Sequence, residues 1–354
     1  MKNMSFYSAS DKVIFDALNQ HKVTKQDMMD LFFKRGILIS KLTDKEKLAL
    51  DFSAYLHDYN DYSFLSEILG VATRREKATS FDLITCVDTD EMETIARSLV
   101  SIIAKYGDTV EVNVINNKIE LSILYKTCDF SKSELRQVVD KDLKMTIEKN
   151  NDSNGYIVRG VQSDKFNQVS GILIDELYKT DPNFSKEEIN LSSIVNSETR
   201  SHFFDRLTRE IPKHDYHDVT DVYVINPEQE SEEEQIVHIT KASLKGKGVT
   251  LSKELGDLFK QGFYIWKIVW NTVIKDDKES DIYEFEALFE DPINCRKFSY
   301  IAKGYYRFKE CDDCTTPKHT KNRISFPRSQ EDKLHKLIES TAKNIINELL
   351  SSLS

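Results

Sequence analysis

The sequence predicts an α+β protein: an N-terminal helical module, then antiparallel sheets backed by helices, then a C-terminal meander closed by an amphipathic helix. Three observations predict it. Up to about residue 80, apolar residues recur at helical spacing with capping residues between the runs. Beyond that point, helical stretches alternate with paired runs of period-two residues joined by Asn-rich turns. From Phe263 to about Phe308 strand-like runs follow one another, and a helix-spaced tail comes last.

Ser10 is placed to cap a helix with Val13, Ile14, Ala17 and Leu18 on one face. Thr24 stands three residues before Asp27, and Thr43 three before Glu46. Each pair reads as a capping box, in which hydroxyl and carboxylate satisfy the free N–H groups of a first helical turn. Gly36 stops the first of these helices, and Ile37-Leu38-Ile39-Ser40 reads as an extended strap. A short helix near Tyr62–Leu69 turns Phe64, Leu65 and Ile68 inward, and Thr73 to Lys77 forms a basic exit.

A pattern then occurs twice. A helix with Met92, Ile95, Leu99 and Ile103 leads into strands at Val110–Val114 and Ile119–Leu124, with Asn116-Asn117 as the turn. A short helix from Ser131 through Leu135 and Val138 precedes strands at Leu143–Ile147 and Tyr156–Val161. A longer helix carries Phe166, Val169, Leu173 and Leu177. After Asp181-Pro182-Asn183 come a helix with Phe203, Phe204 and Leu207, a strand at Val219–Ile225, and an acidic loop from Glu228 to Glu234. A strand at Ile236–Leu244 and a helix at Leu251–Phe259 precede the meander. Gln330–Leu353 is the closing helix. Packing on the meander is its structural role, and pairing with a second chain, a copy of itself included, is the alternative. Three parts are expected: 1–80, 81–190 and 191–354.

At 354 residues the chain can bury several cores, and 40% hydrophobic with 31% charged residues is ordinary globular composition. No apolar run is long enough to cross a bilayer, so no membrane partner is expected. Five cysteines, an odd number, suit a reducing, cytoplasmic setting rather than a disulfide scaffold. A formal charge of −10 argues against a protein coated in positive potential, but leaves room for one cationic face.

Such a face is written into Thr24–Leu56. Leu31-Phe32-Phe33 lies inside the first helix and Lys34-Arg35-Gly36 at its end. The strap follows, and Lys45, Lys47 and Leu48 lie in the second helix. This arrangement resembles the SAP and helix–extended–helix modules of DNA-binding proteins. The turn Lys41-Leu42-Thr43-Asp44 departs from the small residue or Gly that the family usually has there. The resemblance implies that the strap and the start of the second helix approach the phosphate backbone. On that reading Lys34, Arg35, Lys41, Lys45 and Lys47 are the nucleic-acid-binding residues. Independently of the family, free N–H groups at a helix N-terminus favour an anion. Arg74, Arg75 and Lys77 extend the patch.

Other constellations have structural accounts beside chemical ones. On the strand Tyr283–Glu290 the residues Glu284, Glu286 and Glu290 share a face, and two carboxylates two residues apart are metal-ligand spacing. The lysine that a restriction-type nuclease needs is missing, and cross-strand pairing with Lys303, Arg307 and Lys309 is the simpler expectation. Cys311 and Cys314 with His319, and Cys295, have zinc-like ingredients without a second matching pair. His214-Asp215-Tyr216-His217-Asp218 reads as a polar loop before a strand holding Asp221. His57-Asp58 lacks the companions of a phosphohydrolase dyad. Lys245-Gly246-Lys247-Gly248, ahead of Ser252, fits neither phosphate-binding glycine motif. Tyr264, Trp266, Ile268 and Trp270 read as core rather than a base-stacking platform.

The expected function is a non-catalytic DNA-binding or DNA-sensing subunit without a cofactor, working beside a protein partner that carries a nuclease or ATPase activity. In style the chain is similar to accessory proteins of bacterial antiphage defence loci. Two alternatives stand: a metal-dependent nuclease or phosphodiesterase using Asp281, Glu284 and Glu286 or the His214–Asp221 cluster, and a protein-interaction scaffold that docks another chain through Thr24–Leu56.

Overall fold

The structure, a computed structural model, describes residues 10–69, 76–115, 118–129, 134–150, 154–227, 241–246, 253–309 and 318–352. The elements run α1 (Asp11–Leu18), α2 (Lys25–Lys34), α3 (Lys45–Ser53), α4 (Tyr59–Leu69), β1 (Ala78–Ile84), α5 (Thr89–Ala104), β2 (Thr109–Ile115), β3 (Lys118–Cys128), α6 (Glu134–Gln137), β4 (Val138–Asn150), β5 (Gly155–Val161) and α7 (Asp164–Thr180). They continue β6 (Ser185–Glu188), α8 (Ser197–Arg209), β7 (His214–Ile225), β8 (Lys241–Lys245), α9 (Lys253–Lys260), β9 (Tyr264–Ile274), β10 (Ile282–Asp291), β11 (Arg296–Tyr306), β12 (Phe308–Lys309), β13 (Lys318–His319) and α10 (Arg328–Ser351). The fold is α+β. Eleven strands form one sheet in the order β2-β3-β4-β5-β1-β11-β10-β9-β7-β8, with β6 also paired to β1.

Two compact units are defined by backbone proximity. The first comprises Met1–Arg74, Glu93–Val114 and Glu120–Lys144; the second comprises Arg75–Met92, Ile115–Ile119 and Met145–Ser354. In the first, α1 to α4 close around Ile14, Leu18, Met28, Leu31, Phe32, Leu48, Phe52 and Leu65, joined by Leu135 of α6. Ser10 caps α1 by accepting from the Val13 N–H. Lys22 Nζ donates to the Leu69 carbonyl at 2.9 Å and ties the end of α4 to the loop after α1.

In the second unit, Phe203 and Phe204 of α8, Trp270 of β9, Phe285 and Phe289 of β10, and Ile338 and Ile345 of α10 share one core. Rings meet edge-on at its centre, Phe204 on Phe289 at 5.7 Å for example. Such geometry contributes about 0.5–1.5 kcal/mol per pair beyond area burial. The meander expected from Phe263 is β9, β10 and β11, and the predicted core face Tyr283, Phe285, Ala287, Phe289 is in place.

Several local expectations are corrected. The short helix from Ser131 to Val138 is only Glu134–Gln137 among the described residues, because Val138 already enters a long strand. His214 to Asp218 is not a loop but the first part of β7, paired with β9 across a register shift at Tyr216/Asp218. The cap of α3 is Asp44, whose side chain accepts from Glu46 N–H at 3.2 Å; Thr43 lies one residue outside it. The Asn116-Asn117 turn, the Glu228–Glu234 acidic run and Ser131 lie outside the described residues.

Candidate functional site: the helix–strap–helix module

The α2–strap–α3 segment forms for reasons that can be read atom by atom. Thr24 accepts from Asp27 N–H at 3.2 Å while Asp27 accepts from Thr24 N–H at 2.8 Å, a reciprocal box that fixes the start of α2. The helix ends in a Schellman motif. Gly36 N–H donates to Phe33 O at 2.8 Å and Ile37 N–H to Phe32 O at 3.0 Å, with Gly36 at φ +74°. No atom would crowd a Cβ there, so glycine is needed for its left-handed backbone and not for space. Ile37 and Ile39 then lean on the helical core while Leu38 points out. α3 buries Leu48, Ala49 and Phe52.

The basic residues divide. Arg35 is bound inward: its guanidinium donates to Leu56 O at 2.5 Å and to the Asp61 carboxylate, and stacks 5.0 Å from the Phe52 ring centre. His57 Nδ1 sits 3.3 Å from the same Asp61 and its Nε2 3.4 Å from Ser53 O, so this ring packs rather than pairing with Asp58 for chemistry. Asp58 instead serves the start of α4: the Asp61 N–H, then the Asn60 amide, hold its carboxyl below the usual range. Lys34 Nζ lies over Phe64 at 3.7 Å. Lys45 Nζ donates to Gln20 O at 2.8 Å. Lys41 and Lys47 are exposed, Lys41 beside the strap and Lys47 in the first turn of α3. Lys77 is in the second unit, where it pairs with Glu290 at 3.0 Å. Arg74 and Arg75 lie outside the described residues.

The helix–strap–helix also leaves apolar side chains in water. Phe33 is 68% exposed, Leu38 84%, Leu42 93%, Leu50 60% and Leu56 94%, in a segment whose other leucines and Phe52 are almost fully buried. Leu56, Lys34, Arg35, Asp61 and Phe64 border a cavity of ≈ 520 Å³. Phe33, Leu38 and Leu42 are visible in the sequence as parts of the first helix, the strap and the turn, but their exposure is not, because Leu38, Leu42 and Leu56 lie outside the helices where periodicity marks a buried face. The signal available was their lack of any periodic partner.

The alternative chemical sites take structural forms. Glu284 and Glu286 are both buried and paired: Lys303 lies 3.0 Å from Glu284 and 3.5 Å from Glu286, Lys267 lies 2.9 Å from Glu286, and Arg323 pairs with Glu284. Burial pushes both carboxyls up. The neighbouring cations, Lys303 on Glu284 and Lys267 on Glu286, overcome it and hold both below the usual range. Of the three cations expected opposite them, only Lys303 is there. Arg307 lies beside Tyr305 OH at 3.4 Å, and Lys309 sits on β12, paired with Lys318. A register shift between Glu284 and Phe285 causes the difference. Glu284 faces Gly304 and Phe285 faces Ala302, so Lys303 is the extra residue of a bulge and the alternation reverses beyond it. Tyr306, expected on the opposite face, therefore donates its hydroxyl to Glu284 at 2.8 Å. Asp281 accepts from the Phe308 N–H at 2.7 Å.

His214 Nδ1 meets Thr272 Oγ1 at 3.0 Å, and burial pushes its pKa down. Asp218 accepts from Val219 N–H, and Asp221 lies 3.9 Å from Lys245, so the cluster is spread along a strand. His319 Nε2 sits 3.1 Å from Ser280 O. Cys295 is buried, and burial pushes its thiol up to about 11. Cys311, Cys314, Lys247, Gly248 and Ser252 lie outside the described residues. Among the described residues no group of three or more His, Cys, Asp or Glu is placed to hold a metal. Trp270 and Ile268 belong to the core. No helix among the described residues is long and apolar enough to cross a membrane. Comparison with protein-family models and with curated proteins finds no match to this chain.

Proposed function

We propose that this protein is a non-catalytic binding subunit that docks another protein chain through the outer face of its α2–strap–α3 module. One observation carries the reading: Phe33, Leu38, Leu42, Leu50 and Leu56 stand in water while most of the basic residues around them are engaged by their own chain. Covering a leucine contributes about 1.5–3 kcal/mol, so even part of this set gives a partner useful affinity. The partner holds the chemistry, as the absence of a catalytic signature in the sequence suggests. The unbridged thiols Cys86 and Cys128 suit a cytoplasmic setting.

A second reading keeps nucleic acid as the ligand, in the accessory-subunit role expected of an antiphage locus. It is favoured by the helix–extended–helix geometry, with exposed Lys41 and Lys47 flanking the start of α3. Such lysines would hold phosphates and position a duplex without reading bases. The experiment compares Leu38→Glu/Leu42→Glu with Lys41→Glu/Lys47→Glu in the full chain. Docking on protein predicts that the leucine pair loses a partner co-purified from the native host while the lysine pair keeps it. DNA binding predicts a salt-steep mobility shift that the lysine pair weakens. Retention of the partner by the leucine variant, folded by circular dichroism, overturns the first reading.

A further inference from the structure

The two ends of the strand order differ in how they meet solvent. One end is β8, Lys-Ala-Ser-Leu-Lys, with an exposed lysine at each end of the strand. Lysines of this kind are a common device against edge-to-edge pairing. The other end is β2, Thr-Val-Glu-Val-Asn-Val-Ile, which among the described residues is hydrogen-bonded in the sheet only to β3. It has no proline and no lysine, and Glu111 is its single charge. Its burial alternates strictly. Thr109, Glu111, Asn113 and Ile115 are exposed, and Val110, Val112 and Val114 are half-buried. Seven residues of clean alternation, with one ladder edge that no described strand covers, are a template for a further strand.

We propose that β2 pairs antiparallel with β2 of a second copy of this chain, about a two-fold axis through Val112. The sequence of the strand selects that partner and that register. A two-fold axis normal to the sheet preserves its faces, so each residue must oppose one of the same parity. Centred on Val112, the pairing sets Thr109 against Ile115, Val110 against Val114 and Glu111 against Asn113, each twice, and uses the whole strand. Centred on Glu111, it would set that carboxylate against its own copy, which is unfavourable. Centred on any other residue, it shortens the ladder. The register through Val112 alone combines full length with no like charges opposed. It also continues the half-buried valine row into the second copy.

The test uses the charge at position 113, which is exposed in the single chain and so leaves the fold undisturbed. Asn113→Glu places two carboxylate pairs across the axis, and Asn113→Lys places two Glu–Lys pairs there. Cross-strand charge pairs of this kind change the dimer dissociation constant by about 2- to 30-fold for the two together. Sedimentation velocity over a concentration series is expected to show the wild type dimerising, Asn113→Glu weaker and Asn113→Lys tighter, with unchanged circular dichroism. A wild type and an Asn113→Lys variant that both stay monomeric at the highest soluble concentration overturn the proposal. So does a dimer whose constant fails to move in opposite directions for the two variants.

Discussion

Arg159 on β5 holds two elements together, and its loss has a calculable effect. Its Nε and Nη2 donate to Glu339 of α10 at 2.7 and 3.1 Å, and its Nη1 to Glu148 of β4 at 2.6 Å. Glu339 is 3% exposed and also accepts from Tyr300 OH at 3.1 Å and Lys343 Nζ at 3.0 Å. Burial pushes the Glu339 carboxyl up, and the Arg159 hydrogen bonds and charge, helped by Lys343, overcome it and hold the group below its usual range. Arg159→Met keeps the apolar stem and removes the fork. Stranding one member of a buried ion pair costs about 3–5 kcal/mol. Lys343 and Tyr300 remain on Glu339, and Glu148 keeps Lys336 at 2.9 Å and Lys118 at 3.2 Å. The low end, about 3 kcal/mol, is therefore expected.

Urea unfolding followed by circular dichroism reads this as a lower midpoint at unchanged slope. The double variant Arg159→Met/Glu339→Leu removes the stranded carboxylate, and Lys343 still has Asp82 at 2.8 Å. It is expected to be more stable than the single variant, since an apolar replacement for a buried pair is commonly neutral or better. The acid limb gives an independent reading. Burial pushes Glu148 up, but Lys336, Arg159 and Lys118 bring its pKa from 4.5 down to about 2. A carboxyl with a depressed folded pKa contributes stability that is complete above its unfolded value and is lost as pH falls through the folded one. The wild type should thus lose stability between about pH 4.5 and 2, and Arg159→Met should lose less across that window. A single variant within about 1 kcal/mol of wild type, or a double variant weaker than the single, would refute the reasoning.

Two further predictions concern backbone. At Gly304, φ +142°, an added Cβ would lie 2.3 Å from Ile324 O, so Gly304→Ala is expected to cost roughly 2–3 kcal/mol in the same urea assay. Gly36→Ala meets no atom within 4 Å and should cost only the left-handed backbone penalty, about 1–2 kcal/mol; equal costs at the two sites would contradict the steric account. Asp44→Ala should lower stability by about 1 kcal/mol as the loss of an N-cap, measured as a shift in urea midpoint. Thr43→Ala should stay within about 0.5 kcal/mol, and the reverse order would restore Thr43 as the cap.

What could be read from the sequence followed strength of periodicity and local chemistry. α5 and α7 were legible because Met92, Ile95 and Leu99, and Phe166, Val169 and Leu173, each mark one buried stripe. The Thr24–Asp27 box and the Gly36 stop were legible because caps act within a few residues. β1 was not, since Thr79, Ser80, Phe81 and Leu83 are all buried and no alternation survives in a strand flanked by β5, β6 and β11. The start of β7 was hidden for the opposite reason: His214, Asp215, His217 and Asp218 are polar, and a bulge breaks their period. Around the candidate module, the lysines and arginine could be counted, but their destinations could not. That Arg35 turns to Asp61 and Lys45 to Gln20 depends on α4 and on the loop after α1, both outside the module.

The fate of those cations bears on what the module recognises. A phosphate backbone is held by charges that are free to approach it, and each one withdrawn into an internal pair removes a counterion-release contribution. Arg35 would have to leave both a carboxylate and a carbonyl to reach a phosphate, and Lys45 a carbonyl. Lys41 and Lys47 then face a duplex on a chain of net charge −10, which repels it at long range. The leucines face no such opposition. Leu38, Leu42 and Leu56 require no rearrangement to meet an apolar partner, and the Schellman turn and the Asp44 cap hold the strap and turn that present Leu38 and Leu42. Under the proposed docking role, preorganised apolar contact with little competing electrostatic cost is the reason to put a protein before a nucleic acid as ligand.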